Sequence, residues 1–338
     1  MPLPDSAYTQ FTDDLTINRL LNGMWQVSGG HGSINPKDAL KNMLDYHTAG
    51  FTTWDLADHY GPAEDFIGQF RKLLAQTQGE QALANIQAFT KWVPRPSAMS
   101  RQTVESAIDT SLRRMNVEAL DLLQFHWWDY SHPAYLDAMG HMHDLQRAGK
   151  IKHLALTNFD TEHTLNILNA GIRLVSNQVQ YSIIDRRPQV KMIDTFTQHK
   201  MTFLAYGTLA GGLLTDRYLN QPEPPRQALK TASLRKYKNM VDVWGGWALF
   251  QELLVVLRGI ADKHSVTIAN VAVRYVLQQP QVAGVIVGAR LGISDNRDDN
   301  ARVFTFALDN DDISRIDAIS AQSNDLFAII GDCGDEYR

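Results

Sequence analysis

The chain has 338 residues, 44% of them hydrophobic, with 32 basic and 37 acidic residues and a net charge of -5. This length suits one α/β barrel with insertions. The absence of blocks of like charge argues against a nucleic-acid or anionic-membrane partner. The single cysteine, Cys333, excludes an internal disulfide. No stretch reaches the roughly 18 to 20 apolar residues of a membrane span, and no secretion signal is evident, so we expect a cytoplasmic protein.

Short apolar runs alternate along the chain with longer segments of helical period, which is typical of repeated βα units around a parallel sheet. Eight candidate strands fall near residues 19–22, 51–55, 86–91, 120–126, 151–156, 174–179, 202–206 and 284–287. Eight strands in strict alternation favour a closed (β/α)8 TIM barrel. Ahead of them, residues 11–17 predict a small β-hairpin at the bottom of the barrel.

Helical signals fill the intervals between these strands. Asn35 before Pro36 predicts a helix start. One helix face is predicted from the spacing of Val104, Ala107, Ile108, Ser111, Leu112 and Met115. The pattern fails at 209–247, where we predict a long lid loop after strand seven. We expect a single domain over 1–338, with a barrel core at about 17–322 and a tail at 323–338.

Four residues with chemical functions follow the ends of consecutive predicted strands. Asp55 ends the second strand and Tyr60 comes five residues later, while Lys91 ends the third and His126 the fourth. Because the carboxyl ends of barrel strands share one face, we expect these side chains to converge. Each residue alone has an ordinary structural explanation, such as a cap, rim packing, a solvated lysine or a core histidine. Their joint occurrence in this order favours a catalytic site.

These four residues predict the reduction of a carbonyl group. Such a reaction needs an acid within hydrogen-bond reach of the carbonyl oxygen, and Tyr60 is the candidate. A tyrosine has an ordinary pKa of about 10, so we expect the Lys91 ammonium to favour the phenolate and lower the pKa of Tyr60. Asp55 would hold the ammonium in place. A neutral His126 would orient the carbonyl oxygen or relay the proton.

The stretches 50–64 and 115–127, which contain Asp55, Tyr60 and His126, resemble the two signatures of the aldo-keto reductase family. The resemblance extends from about Leu20 to Leu308. It implies a (β/α)8 barrel that uses NADPH to reduce an aldehyde or ketone, with Asp55, Tyr60, Lys91 and His126 as catalytic residues.

The resemblance also implies how a nicotinamide cofactor would be held. Asn158 and Gln178 match the residues that bind its carboxamide, although loop capping is the alternative for both, and Tyr206 matches the aromatic residue that stacks on its ring. Arg217 matches a phosphate clasp of the potassium-channel β-subunit branch. The full expected set is Gly23, Met24, Trp25, Asp55, Thr157, Asn158, Gln178, Tyr206, Gly207, Thr208, Leu209, Ala210, Gly211, Arg217, Gly288, Ala289, Arg290, Asn296, Asp299 and Asn300.

Arg290 favours NADP(H) over NAD(H), because a guanidinium offers paired donors to a 2′-phosphate. Two features depart from the family pattern here. The stretch 291–295 is two residues longer than usual, and Asn296 stands where Arg or Gln is common. Nearby acidic residues such as Asp299 would also repel a phosphate. For the substrate, Trp25, Trp92 and Trp127 are expected to wall an apolar pocket, with packing beneath the rim as the alternative.

Other classes of enzyme fit the sequence less well. The Gly29–Gly32 stretch lacks the Gly-x-Gly-x-x-Gly spacing of a Rossmann domain. A glycosidase built on Asp55 and Glu64 leaves the tyrosine and lysine unexplained. We expect no metal, although sites at Asp55 with His59, or at His126 with Asp129 and His132, stay open. A small-molecule partner and a monomer or small homo-oligomer are expected. A second function also stays open, namely an NADP-binding, redox-sensing regulatory subunit with little turnover.

Overall fold

The protein is described here by a computed structural model covering residues 3–30 and 34–338, so the predicted glycine-rich loop lies partly outside the described residues. An antiparallel hairpin precedes eight parallel strands that close into a barrel, with β10 paired to both β9 and β3. This architecture confirms the predicted fold class. The strands are β1 Tyr8–Thr12, β2 Leu15–Asn18, β3 Leu20–Gly23, β4 Thr53–Asp55, β5 Gln87–Trp92, β6 Leu120–Phe125, β7 Ile151–Thr157, β8 Ser176–Gln180, β9 Thr202–Tyr206 and β10 Val282–Gly288.

Helices surround the barrel where the sequence offers caps and apolar faces. The Asn35 side chain accepts a hydrogen bond from the Lys37 amide at 2.9 Å, with Pro36 in the first turn. The buried face of α3 contains Val104 and Ile108, as its period predicts. The helices are α1 Pro36–Thr48, α2 Ala63–Gln78, α3 Arg101–Met115, α4 Tyr135–Arg147, α5 Thr161–Asn169, α6 Met192–His199, α7 Ala232–Trp244, α8 Gly246–His264, α9 Ile268–Leu277, α10 Arg297–Arg302, α11 Asn310–Ser320 and α12 Leu326–Ile330.

The hairpin closes the amino-terminal end of the barrel. Phe11 and Ile17 are buried in one cluster with the barrel residues Phe89 and Leu122. The rings of Phe11 and Phe89 stack with their centroids 5.7 Å apart. The hairpin therefore forms an apolar floor, and access to the interior is left to the opposite, carboxyl-terminal rim, which we call the mouth.

A polar layer lies above this floor because side chains alternate along each strand. Phe89, Leu122, Ala155 and Leu204 belong to the floor cluster. Two residues further along the same strands come Lys91, Gln124, Thr157 and Tyr206. The barrel thus carries an apolar layer below and reactive side chains at its mouth.

The segment 209–247, predicted as a lid loop, is only half irregular. Three short 3₁₀ turns, at Ala210–Gly212, Asp216–Tyr218 and Arg226–Ala228, are followed by α7. Thr231 caps this helix, accepting a hydrogen bond from the Leu234 amide at 3.1 Å. A Cβ atom at Gly207, where φ is +75°, would lie 2.5 Å from the Tyr237 hydroxyl of α7. Glycine at this position therefore allows α7 to pack against the loop that follows β9.

In residues 3–30 and 34–338, no single helix has the length and apolar composition needed to cross a membrane. Helices α7 and α8 satisfy both criteria only when taken together, and they meet at a bend of 97°.

Candidate active site

A buried ion pair stands at the centre of the mouth. The Lys91 ammonium contacts both carboxylate oxygens of Asp55, at 2.8 and 2.7 Å, and both side chains are almost fully buried. Burial lowers the pKa of Lys91, and the attraction to Asp55 offsets part of that effect. The pair joins the ends of β4 and β5, as the sequence predicts.

Two glutamines complete the surroundings of the Asp55 carboxylate. Gln124 donates to Asp55 Oδ1 at 3.0 Å, and Gln178 donates to the same oxygen at 2.6 Å. Gln178 also donates to Gln124 Oε1 at 2.7 Å. Gln124 is absent from the predicted site, but it lies two residues before His126 on the same strand parity, a signal that could have identified it. These amides satisfy the buried charge and fix its position.

Tyr60 lies beside this pair. The Lys91 ammonium is 5.1 Å from the centroid of the Tyr60 ring. The pKa of Tyr60 nevertheless lies well above its ordinary value, because burial and then the Asp55 carboxylate disfavour the phenolate. The expected lowering of this pKa is therefore wrong for the structure as described. The Lys91 charge is already paired with Asp55, so Tyr60 stays a neutral phenol.

His126 is held in one tautomer. Its Nδ1 lies 3.0 Å from the Thr157 carbonyl oxygen, which can only accept, so Nδ1 carries the proton. Burial lowers the pKa of His126 to about 4, so the ring is neutral near pH 7. Its Nε2 is then a hydrogen-bond acceptor, and this buried atom has no partner within the described residues.

Asn158 and Gln178 lie side by side after β7 and at β8, where the Asn158 amide donates to the Gln178 carbonyl at 2.9 Å. Asn158 Oδ1 accepts from the Tyr206 hydroxyl at 2.8 Å, which leaves its Nδ2 without a partner in the described part of the chain. Gln178 Nε2 donates to Asp55 and to Gln124, and Gln178 Oε1 is likewise without a partner in the described part of the chain. One donor and one acceptor are thus presented together, and this pair complements a carboxamide.

The strands that close the barrel, β3 and β10, end at the same mouth, and β3 lies next to Asp55 on β4. Gly23 and Gly288 are register partners, the Ala289 amide donates to the Gly23 carbonyl at 2.9 Å, and the Met24 amide donates to the Asp55 carbonyl at 2.8 Å. Trp25 follows in a 3₁₀ turn and is half-buried. The structure therefore brings these expected cofactor residues to the mouth.

The residues expected at the phosphates are spread further along the rim. Arg217, Arg290 and Asn296 are exposed, and within residues 3–30 and 34–338 the Arg290 side chain has no ion-pair partner. The Thr208 hydroxyl donates to the Tyr181 carbonyl at 3.2 Å, so it is already used.

The expected adenosine segment is partly committed to the fold. Asp299 accepts hydrogen bonds from Thr267 and Asn270 of the α9 start, at 3.4 and 3.3 Å, and burial raises its pKa. Asn300 lies in α10, where its amide donates to the Asn296 carbonyl at 2.8 Å. Asp299 therefore ties α10 to α9.

Two of the three tryptophans that were expected to wall a substrate pocket, Trp92 and Trp127, are buried. Trp127 is fully buried, and its indole donates to the carbonyls of Asp129 and His132 at 2.8 and 2.9 Å. Trp92 is buried against Phe125, with ring centroids 5.6 Å apart. Trp128 is 39% exposed instead, with its ring 4.3 Å from that of His126. Trp128 is therefore the tryptophan whose ring lies next to His126 at the mouth.

Comparisons with known proteins agree with the fold. The model of the aldo/keto reductase family matches residues 19–321, and the chain belongs to that family and is an oxidoreductase. It is 27% identical to the aldo-keto reductase str7 of Strobilurus tenacellus, over 86% of this chain and 84% of that protein. It is 23% identical to the NADH-specific methylglyoxal reductase of Escherichia coli K12, over 82% and 87% of the two chains.

A solved structure shares the fold. The aldo/keto reductase of Klebsiella pneumoniae in complex with NADP and acetate superposes with a TM-score of 0.68 at 19% identity, over 93% of this chain and 95% of that one.

Proposed function

We propose that this protein reduces an aldehyde or ketone to an alcohol, reversibly, with NADPH as the hydride donor. One observation carries the proposal: the donor and acceptor left free on Asn158 and Gln178 lie at the same mouth as the neutral Tyr60 phenol. A carboxamide site beside a proton donor is what carbonyl reduction by a nicotinamide requires.

The residues of the mouth fit the cofactor. The Asn158 Nδ2 donor and the Gln178 Oε1 acceptor would bind the carboxamide, and the Tyr206 ring would stack on the nicotinamide. When bound, the dihydronicotinamide supplies a hydride to the carbonyl carbon. The exposed, unpaired Arg290 would contact a 2′-phosphate. The Klebsiella relative was solved with NADP, while the methylglyoxal reductase is named for NADH, so the preference for NADPH is part of the proposal.

Tyr60 would donate the proton to the carbonyl oxygen. Its raised pKa keeps the phenol protonated in the resting site. As the proton leaves, negative charge develops on the phenol next to the Lys91 ammonium, which stabilises it electrostatically. Asp55 holds this ammonium in place and keeps the resting pair neutral overall.

His126 would act on the other side of the oxygen. Its unprotonated Nε2 cannot donate to a carbonyl oxygen, but it can accept a hydrogen bond from the hydroxyl of the product. Tyr60 is then the proton donor in reduction, and His126 holds the alcohol in the direction of oxidation.

Replacement of Tyr60 tests the proposal. Tyr60→Phe should reduce kcat for methylglyoxal reduction by NADPH by at least about a thousandfold, because the proton donor is lost. Its Kd for NADPH should stay within about twofold of wild type, because only the hydroxyl is removed. Tyr8→Phe, the same change at an exposed tyrosine of the hairpin, serves as control. Retained turnover in Tyr60→Phe would contradict the assignment.

A further inference from the structure

The last seven residues of the expected tail at 323–338 lie across the mouth, and the name tail refers from here on to these residues, 332–338. The Arg338 guanidinium donates to the carbonyl oxygens of Trp127 and Asn158, at 2.6 and 2.9 Å, and lies 3.9 Å from the centroid of the Tyr130 ring. A Cβ atom at Gly334, where φ is +94°, would lie 2.0 Å from the Asn158 carbonyl oxygen. The tail therefore packs directly on the backbone of Asn158, next to the free amide described above.

A buried arginine anchors the tail. Arg187, which is 1% exposed, pairs with Asp185 at 2.8 Å and also donates to the Asp332 carbonyl at 3.1 Å and to Glu336 Oε2 at 2.9 Å. Burial would raise the pKa of Glu336, but the charge of Arg187 outweighs it, and this pKa is lowered overall. Breaking such a buried pair is costly, because it leaves a charge uncompensated. The tail is thus a fixed part of the mouth.

A hydrogen-bond chain runs from α7 through the tail to Asn158, and its direction can be assigned. Lys236 contacts the Tyr337 hydroxyl and can only donate. The Tyr337 and Tyr206 hydroxyls are 3.0 Å apart. The shortest contact of the Tyr206 hydroxyl with an obligate acceptor is the one to Asn158 Oδ1 at 2.8 Å, against 3.4 Å to Glu336 Oε1. Because the Tyr337 hydroxyl already accepts from Lys236, its own proton is available to Tyr206, and the Tyr206 proton then goes to Asn158.

We propose that Tyr337 is a positioning residue for the nicotinamide. By donating to Tyr206, it directs the Tyr206 proton to Asn158 Oδ1, and this turns Asn158 Nδ2 toward the ligand. Lys236 sets the direction of the chain, and Arg187 holds Tyr337 in place through Glu336. The inference rests on the proposed function, because it assigns a role within the cofactor site.

Two ligands separate this role from a general effect on folding. NADPH carries the nicotinamide, whereas 2′,5′-ADP carries the adenine and 2′-phosphate without it. In titrations followed by tryptophan fluorescence, Tyr337→Phe should raise the Kd for NADPH by about five- to tenfold. This factor corresponds to the contribution of one misdirected hydrogen bond. Affinity for 2′,5′-ADP should stay unchanged. Tyr8→Phe should change neither.

Cys333, the one cysteine of the chain, reports independently on the tail because it lies in it and is 1% exposed. Its reaction with 5,5′-dithiobis(2-nitrobenzoic acid) should be as slow in Tyr337→Phe as in wild type. Glu336→Gln, which weakens the anchor, should accelerate it by about tenfold or more. Arg186→Met, next to the anchor but paired with Asp317, should leave the rate unchanged.

Several results would overturn the inference. One is equal or tighter NADPH binding by Tyr337→Phe; tighter binding would identify the tail as a plug that the nicotinamide displaces. Another is an equal loss of affinity for NADPH and for 2′,5′-ADP in Tyr337→Phe. A third is faster labelling of Cys333 in the same variant than in wild type. If wild type binds neither ligand, the proposed function itself fails. If wild type binds NADPH and Tyr337→Phe binds it equally well, the inference alone fails.

Discussion

The proposed proton donor, Tyr60, is a phenol beside a lysine, Lys91, whose charge is already paired with Asp55. Lys91 forms its short contacts with Asp55, while its approach to Tyr60 is to the ring at 5.1 Å. A nearby cation lowers the pKa of a phenol less when a carboxylate already compensates the charge of that cation. Burial therefore dominates, and the pKa of Tyr60 rises. In the proposed mechanism, Tyr60 keeps its proton in the resting site, and Lys91 stabilises the negative charge that develops on the phenol during proton transfer.

This protonation scheme predicts the pH dependence of the reaction. Because the pKa of Tyr60 is raised above its ordinary 10.0, the acid is retained throughout the neutral and mildly alkaline range. Because the pKa of His126 is about 4, its ring stays neutral there as well. We expect kcat/KM for reduction to be level from about pH 6 to about pH 9. Oxidation of the alcohol, which needs the phenolate, should rise with pH over this range. An alkaline decline of reduction below pH 9 would mean that Lys91 lowers the pKa of Tyr60 after all.

Arg290 should set the choice between the two cofactors. Its exposed and unpaired guanidinium is available to a 2′-phosphate. Arg290→Ala should raise the Kd for NADPH by about tenfold or more and change that for NADH by less than about twofold. Arg173→Ala, at an exposed arginine before β8, is the control. An equal loss for both cofactors would place recognition of the 2′-phosphate elsewhere.

The residues of the site could be predicted from sequence only as far as strand parity and family pattern extend. Asp55, Lys91 and His126 follow apolar runs, so their convergence was predictable. Trp127 and Trp128 lie beyond the end of β6 at Phe125, where alternation no longer determines which side chain faces the mouth. The exposed member of this pair is Trp128, and only the structure distinguishes the two.

At the scale of elements, one glycine allows two helices to approach closely. A Cβ atom on Gly68 of α2 would lie 2.1 Å from the Arg114 carbonyl oxygen at the end of α3, a backbone atom that cannot rotate away. Gly68→Ala should therefore lower the free energy of unfolding by about 1–3 kcal/mol. Gly140→Ala is the matched control, because Gly140 of α4 is exposed and has nothing within 4 Å of an added Cβ. That change should raise stability by about 0.5–1 kcal/mol. Urea denaturation of both variants measures the two changes in the free energy of unfolding. Equal changes would contradict the inference that α2 and α3 approach closely at Gly68.

Elements with a clear period were predictable, and those without one were not. The eight strands and the face of α3 follow from alternating and helical spacing. Helix α7, which begins at Ala232, did not stand out, because it follows three prolines and mixes Arg235, Lys236 and Lys238 with apolar residues. Helix α7 packs on the glycines after β9, and a tertiary contact of this kind leaves no periodic signal in the sequence.

At the scale of the whole molecule, the barrel gathers residues that are far apart in sequence. Gln178 reaches Asp55 across 123 positions, and Arg187 reaches Glu336 across 149. The first contact is predictable from the fold, since Asp55 ends β4 and Gln178 lies in β8 of the same barrel. The second is not, because the tail has no period, and its place depends on a buried ion pair rather than on a pattern.

We propose that this barrel turns over carbonyl substrates with NADPH rather than only sensing the cofactor. The most direct measurement is NADPH oxidation by the purified protein with methylglyoxal in excess, expressed as NADPH consumed per chain and matched to the alcohol formed. We expect continuous oxidation over many equivalents, with one alcohol molecule formed for each NADPH consumed. Consumption that stops at one equivalent per chain or less would contradict it and would favour a redox-sensing subunit.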